Sequence, residues 1–164
     1  FSYTTLFRYL QIRPEWKLNL WTISLLLIAF GIVVSGYLSY VKLTDVPMAC
    51  AVDSGFDCAS VQNSAYSRVM DIPIAWLGLG TYLVLGGLLL AQYRVDFLRE
   101  NGMLIIFGIV LFAFMYSMYL IYIQGTVLKA WCQWCLMHEA TMTVLFVITM
   151  LRLRAYLNDP DVVI

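Results

Sequence analysis

Residues 103–123 read MLIIFGIVLFAFMYSMYLIYI, an apolar run without a single charged side chain. A helix of roughly 20 mostly apolar residues is long enough to cross the hydrocarbon core of a bilayer. Three other runs reach this length, so we predict membrane spans at about 18–41, 74–93, 103–123 and 135–153. The fourth run is the least apolar, because His138 and Glu139 fall near its start.

The composition of the whole chain also indicates a membrane protein. Its 164 residues are 62% hydrophobic and 12% charged, with a mean hydropathy of +0.82, whereas a soluble domain carries about 25% charged residues. The net charge is zero, and without a basic patch we expect no nucleic-acid partner. We predict one all-α domain over residues 1–164, an integral four-helix bundle in the lipid membrane.

The connections between the predicted spans differ in length. Residues 42–71 form a long loop of about thirty residues, and the two later connections hold about ten each, so the last three spans should be antiparallel neighbours. Within the long loop Val61, Ala65, Val69 and Met70 recur at helical spacing, which predicts a short amphipathic helix. This helix could shield a pocket at the mouth of the bundle, or it could only anchor the loop.

The Lys and Arg residues predict the orientation, since cytoplasmic segments carry more of them. Seven lie on the side of the bundle that holds both termini and three lie on the other side. We therefore predict a multi-pass protein of the cell membrane with both termini in the cytoplasm. All four cysteines then fall on the extracytoplasmic side, where disulfides persist. The seven are Arg8, Arg13, Lys17, Arg94, Arg99, Arg152 and Arg154; the three are Lys42, Arg68 and Lys129.

Cys132 and Cys135 form a C-x-x-C motif at the start of the fourth span. The spacing allows the two sulfurs to close a small ring, and the N–H groups and dipole of a helix N-terminus stabilise a thiolate. Half of a zinc site is the rival interpretation. We expect no metal, because Cys50 and Cys58 are spaced too widely and His138 lies a turn deeper in the membrane.

Cys50 and Cys58 enclose a polar segment that contains Gly55. A disulfide here could staple the loop permanently, or a mobile loop could shuttle electrons to the C-x-x-C pair, and the residues do not separate the two. The corresponding alternative for the whole chain is a non-catalytic transmembrane subunit of a larger membrane complex, with two structural disulfides.

Cys135, His138 and Glu139 stand at i, i+3 and i+4 and should share one helix face, which Met142 extends. Ionisable side chains within a span are expensive and suggest function. His138 or Glu139 could donate a hydrogen bond or a proton to a quinone carbonyl. Alternatively, both lie high enough to reach interfacial water.

These residues resemble the vitamin K epoxide reductase family, a group of quinone-linked membrane thiol oxidoreductases. The match extends over about residues 18–153, and residues 72–78 look more like the bacterial homologues than the animal enzymes. It consists of Cys50 and Cys58, then Val61, Ser64 and Tyr66 in the loop, then Ile-Pro-Ile-Ala-Trp-Leu-Gly at 72–78, then Cys132-Gln-Trp-Cys135.

The resemblance implies an enzyme, a quinone reductase and thiol oxidase that supports disulfide bond formation. A thioredoxin-like extracytoplasmic protein would reduce Cys50 and Cys58, one of these would attack the Cys132–Cys135 disulfide, and Cys135 would reduce menaquinone or ubiquinone. Ser64 would support the exchange region. The residues expected to bind the quinone are His138, Glu139, Trp76 and Met142.

Two departures from the animal enzymes bear on the substrate. Those enzymes carry a tyrosine where this chain has Glu139 and an asparagine near Ile74, and both are linked to binding the naphthoquinone and its epoxide. Plain quinone reduction is therefore favoured over epoxide reduction. The chain runs only to Ile164 after the fourth span, so we expect the thiol partner to be a separate protein or to lie beyond this sequence. Other membrane subunits are a second class of candidate partner.

Overall fold

The computed structural model describes residues 14–51, 54–92 and 94–158. It contains five α-helices: α1 (Pro14–Thr44), α2 (Cys58–Gln62), α3 (Ile74–Ala91), α4 (Asp96–Ile123) and α5 (Gln133–Asn158). A 3₁₀ turn (Ala65–Ser67), two short strands, β1 (Arg68–Val69) and β2 (Ile72–Pro73), and a π-helical turn (Gln124–Leu128) complete these ranges. Four of the helices are long and apolar enough to cross a membrane, which confirms the predicted all-α membrane bundle.

The helices extend beyond the apolar runs that predicted them. α4 begins at Asp96 rather than near residue 103, and α5 continues to Asn158 rather than ending near 153. Hydropathy identifies only the part of a helix that lies within the hydrocarbon core of the membrane. A helix can continue beyond that core through charged residues. Asp96 suits the first turn of α4, since the N-terminal end of the helix dipole favours a negative charge. Arg8 and Arg13, on which the predicted orientation partly rests, lie outside the described residues.

The four long helices surround one apolar core. The core brings Ile28 of α1 against three residues of α3, two of α4 and two of α5: Tyr82, Leu85, Leu89, Ile106, Val110, Met142 and Leu145. Large apolar side chains also point outward, and Phe112 is 75% exposed. A surface with such exposed apolar side chains is suited to contact with lipid rather than with water.

The long loop is less helical than its sequence predicts. α2 ends at Gln62, and Val69 and Met70 lie in a hairpin instead of on the apolar face of a helix. In this hairpin Arg68 pairs with Pro73. Met70 and Asp71 form its two-residue turn with φ values of 51° and 66°, as a type I′ turn requires. Met70 is 93% exposed, so its helical spacing from Val61 does not reflect a shared buried face.

α1 and α3 approach each other closely at Gly31. A Cβ atom at this position would lie 2.3–2.6 Å from ring atoms of Tyr82, which is fully buried. At Gly36, one and a half turns further along α1, a Cβ would meet nothing within 4 Å. The absence of a side chain at Gly31 therefore sets how closely α1 and α3 can pack.

We predict that Gly31→Ala lowers the thermal stability of the detergent-solubilised protein, because overpacking a core costs about 1–3 kcal/mol. Gly36→Ala is the matched control and should leave the melting temperature equal or slightly higher. Melting followed by circular dichroism compares the two, and equal melting temperatures would contradict the assigned packing.

Candidate active site

The four cysteines meet at one end of the bundle. Cys58 and Cys132 are 1% and 0% exposed and form a buried cluster with Val61, and Cys50 and Cys135 pack against it. Cys50 and Cys58 are joined by a disulfide, whereas Cys132 and Cys135 are thiols whose sulfur atoms lie 2.8 Å apart. A disulfide and a thiol pair thus occupy the same cluster, which is the arrangement that thiol–disulfide exchange requires.

Residues between the two C-x-x-C cysteines hold the loop in place. The indole N–H of Trp134 donates to the carbonyl oxygen of Ala49 at 2.6 Å, and the side-chain oxygen of Gln133 accepts the N–H of Ala51 at 3.2 Å. Tyr37 supports this contact from α1: its hydroxyl accepts the N–H of Ala49 at 3.1 Å, and its ring centroid lies 4.6 Å from that of Trp134. The backbone on both sides of Cys50 is therefore bound to the start of α5.

Cys58 is placed by the start of α2. Asp57 caps this helix, and its carboxylate accepts the Ser60 hydroxyl at 2.6 Å and the Ser60 N–H at 3.0 Å. These two hydrogen bonds lower the pKa of Asp57 below its ordinary value, so the cap stays ionised. The N–H of Asp57 itself donates to the carbonyl oxygen of Trp131 at 2.9 Å. The residue before Cys58 is thereby bound to the residue before Cys132.

Cys132 directly precedes α5, where a capping residue would stand. Its sulfur accepts the N–H of Cys135 at 3.3 Å, as a capping oxygen would, and its own N–H donates to the side-chain oxygen of Gln124 at 3.2 Å. The hydrogen bond from the Cys135 thiol, aided by the N–H groups of Cys135 and Trp134 and the amide of Gln62, holds the pKa of Cys132 at about 7, although burial opposes this. Cys132 therefore has the thiolate character that exchange requires.

Two glutamines contact the cysteine pair, and sequence reasoning missed both. The amide nitrogen of Gln62 donates to the sulfur of Cys135 at 3.3 Å. Gln124, in the π-helical turn, binds the N–H of Cys132 with its side chain and the N–H of Ala130 with its carbonyl oxygen. Gln62 lies four residues after Cys58 in a predicted helix, so that spacing could have identified it. No comparable signal exists for Gln124.

Two cavities share a wall near the sulfur cluster, and of these only the smaller is lined by Cys135. The smaller, about 80 Å³, is lined by Cys135 together with Gln62 and Ser64 from the loop. The larger, about 510 Å³, extends between α3, α4 and α5 and is lined almost entirely by apolar atoms. Ile74, Leu120, His138 and Glu139 line both. Ligand pockets usually measure about 300–1,000 Å³, so the larger cavity has the size for a flat aromatic ring.

The polar groups at the shared wall fit a ligand that carries polar oxygens. Glu139 is 4% exposed, and its Oε2 atom has no hydrogen-bond partner among the described residues. Its Oε1 atom lies 3.6 Å from Nδ1 of His138, whose ring packs edge-on against Tyr82. A Cβ at Gly78 would lie 3.0 Å from Nε2 of His138, so the missing side chain leaves room for the ring. Glu139 lines both cavities, and its carboxyl group can donate to a quinone carbonyl when protonated or accept from a quinone hydroxyl when ionised.

The other predicted site residues occupy different positions. Met142 is buried and lines the larger cavity. Ser64 lines the smaller cavity, and its hydroxyl donates to the carbonyl oxygen of Val61 at 2.8 Å, which helps to end α2. Trp76 is 45% exposed and lines neither cavity. The structure does not bring it to the other residues, and its role in binding a quinone stays a prediction.

We predict that the ultraviolet absorbance of the Cys132 thiolate rises with pH around a midpoint near 7, because the thiolate dominates above this pKa. Cys135→Ala removes the main cause of the lowered pKa, so the midpoint should move up toward the ordinary value for cysteine. Absorbance at a series of pH values, with Cys132→Ala as the baseline, measures both midpoints without requiring a reagent to reach the buried sulfur, in protein that keeps its loop disulfide. An unchanged midpoint in the variant would show that Cys135 does not set the pKa.

The family model described as the vitamin K epoxide reductase family matches residues 5–150. This range contains all four cysteines, both glutamines at the sulfur cluster and every residue that lines the two cavities. Members of this family are membrane disulfide oxidoreductases that generally use quinones. With four helices able to span a membrane and a disulfide beside a thiol pair, the chain belongs to the vitamin K epoxide reductase family.

Proposed function

We propose that this protein is a quinone-dependent thiol oxidase that takes electrons from a thioredoxin-like protein and thereby supports disulfide bond formation. The observation that carries the proposal is the single buried cluster that holds both a loop disulfide and a thiol pair. Cys135 lines a small cavity that shares a wall with one of ligand size. A disulfide and two thiols within one cluster favour exchange over the alternative, a non-catalytic subunit with two fixed disulfides.

Electrons would enter at the loop. Cys50 is half-buried whereas Cys58 is almost fully buried, so a thiolate of the partner would attack the sulfur of Cys50 and release Cys58. A second thiol of the partner then displaces Cys50 and leaves with the new disulfide. The loop pair has now gained two electrons and two protons, and the partner has lost them.

The C-x-x-C pair would carry these electrons inward. Cys58 attacks Cys132 of the oxidised pair, Cys135 leaves as a thiolate, and Cys50 then attacks Cys58 to restore the loop disulfide and release Cys132. Loop disulfide and C-x-x-C thiols are the state that the structure holds. A bound quinone would supply the two-electron acceptor that reoxidises Cys132 and Cys135.

His138 and Glu139 would supply polar contacts and a proton at the shared wall of the cavities. Quinone reduction consumes two protons, and a carboxyl group in an apolar site can hold one until it is needed. His138 lies close enough to Glu139 to orient it. The larger cavity is also lined by Phe112, which points toward the lipid, so a lipid-soluble acceptor would reach the site from the side of the bundle.

In this proposal both termini face the cytoplasm and the sulfur cluster faces the extracytoplasmic side. The support is the distribution of Lys and Arg along the sequence. The thiol partner, which works in an oxidising compartment, would then meet Cys50 at the outer mouth of the bundle.

We expect Cys132→Ala and Cys135→Ala each to abolish quinone reduction by dithiothreitol, since either change removes the pair that contacts the cavity. Cys50→Ala should retain turnover with this small dithiol and lose it with a reduced thioredoxin-like protein. Absorbance of the quinone in nanodiscs gives the rates. Normal turnover in both C-x-x-C variants would refute the mechanism. If Cys50→Ala changed turnover equally with both donors, Cys50 would not be the entry point.

We expect Glu139→Gln to slow reoxidation of the C-x-x-C pair by quinone about 10²–10⁴-fold, the usual contribution of a positioned acid. Opening of the Cys132–Cys135 disulfide by dithiothreitol should stay unchanged. Met137→Leu is the control, because Met137 lies on the same helical turn and lines neither cavity. Rapid-mixing absorbance separates the two steps, and a native reoxidation rate in Glu139→Gln would remove Glu139 from the reaction.

A further inference from the structure

We propose that Gln62 is a positioning residue whose side-chain amide stabilises Cys135 as the leaving group when the Cys132–Cys135 disulfide opens. The inference rests on the proposed function, because it concerns a step of the same exchange. The inference goes beyond the proposed function because it assigns a role to a side chain other than the cysteines, His138 and Glu139.

Two residues of α2 lie near the two cysteines of the C-x-x-C motif. Cys58 and Gln62 stand at i and i+4 and so lie on one face of α2. Cys58 shares the buried cluster with Cys132, and the Gln62 amide nitrogen lies 3.3 Å from the sulfur of Cys135. The face of α2 that places Cys58 in the same cluster as Cys132 thus also brings a hydrogen-bond donor to Cys135.

The exchange step needs such a donor at Cys135. When the Cys58 thiolate attacks the sulfur of Cys132, a Cys58–Cys132 bond forms and the Cys132–Cys135 bond breaks. The sulfur of Cys135 departs with the bonding electron pair and becomes a thiolate. Exchange is faster when the leaving thiolate is more stable. The amide of Gln62 is neutral, so it stabilises the new charge without burying a second one.

Gln62 is held in position by α1. Its backbone carbonyl oxygen accepts a hydrogen bond from the ammonium group of Lys42 at 2.9 Å, and the same ammonium group donates to the side-chain oxygen of Asn63 at 3.2 Å. The end of α2, and with it the backbone of Gln62, is therefore fixed independently of the sulfur atoms. Only the side chain of Gln62 remains to be ordered, so less entropy is lost when its amide binds the thiolate.

The test uses the full chain with Cys50→Ala and no added dithiol, so that Cys58 can attack the oxidised C-x-x-C pair but nothing resolves the Cys58–Cys132 bond. No quinone is added. Release of Cys135 is followed by iodoacetamide trapping and mass spectrometry. Gln62→Leu should lower the rate of release about tenfold or more, the effect expected for a hydrogen bond to a charged group. Asn63→Ala, which loses a contact with Lys42 but touches no sulfur, should stay within about twofold of the parent.

Gln62→Glu separates stabilisation of the thiolate from support of the loop. Near neutral pH its carboxylate opposes the leaving thiolate, and release should be slow. As the pH falls and the carboxyl becomes protonated, it can donate again, so the rate relative to the parent should recover toward one. A loop that is merely loosened would give a relative rate that does not depend on pH.

Parent-like release in Gln62→Leu, or a relative rate in Gln62→Glu that stays constant with pH, would overturn the role of Gln62. Since the assay contains no quinone, these outcomes are independent of the proposed function. That function fails instead if the native protein releases Cys135 normally but never transfers electrons to quinone.

Discussion

The start of α5 is the constraint on which the whole site depends. Lys129 adopts a left-handed conformation after the π-helical turn, and the carbonyl and side chain of Gln124 bind the N–H groups that follow. The chain is thereby redirected so that Cys132, and not an oxygen-bearing residue, caps the helix. A sulfur in this position faces N–H donors and gains thiolate character, and Cys135 follows on the first turn.

The loop has little stability of its own. A five-residue helix is far below the length at which a helix is stable in water, so α2 depends on Asp57, on Lys42 and on its contacts with α5. The Cys50–Cys58 disulfide adds a covalent constraint to the same segment. Opening this bond leaves only hydrogen bonds and apolar contacts to hold the loop, so reduction of the disulfide would also loosen the loop.

Hydropathy and cysteine spacing predicted the membrane bundle and most of the residues that the site brings together, because both signals are local. Gln62 and Gln124 were missed, and Trp76 lies outside both cavities. The shared face of Cys135, His138 and Glu139 follows from helix geometry once α5 is placed. The extent of α2 could not be predicted, since its helical spacing continues into a hairpin whose turn uses Met70 and Asp71 rather than glycine. The spacing of Gln62 from Cys58 could place both on one helix face, but the contact of Gln62 with Cys135 also depends on how the loop folds back onto α5.

The order of residues along α5 explains how one helix can contact a polar loop at its start and an apolar cavity further along. Cys132, Cys135, Glu139 and Met142 follow one another at about one turn each, so the first sulfur and the carboxyl group are separated by roughly 10 Å of helix. Cys132 contacts the polar loop, whereas Glu139 and Met142 line a cavity of apolar character. In the proposed mechanism the thiol donor reacts with Cys50 and the lipid-soluble acceptor binds in the cavity, so the two would never need to meet. Cys135, which lies between Cys132 and Glu139 along the chain, would pass the electrons from the donor to the acceptor.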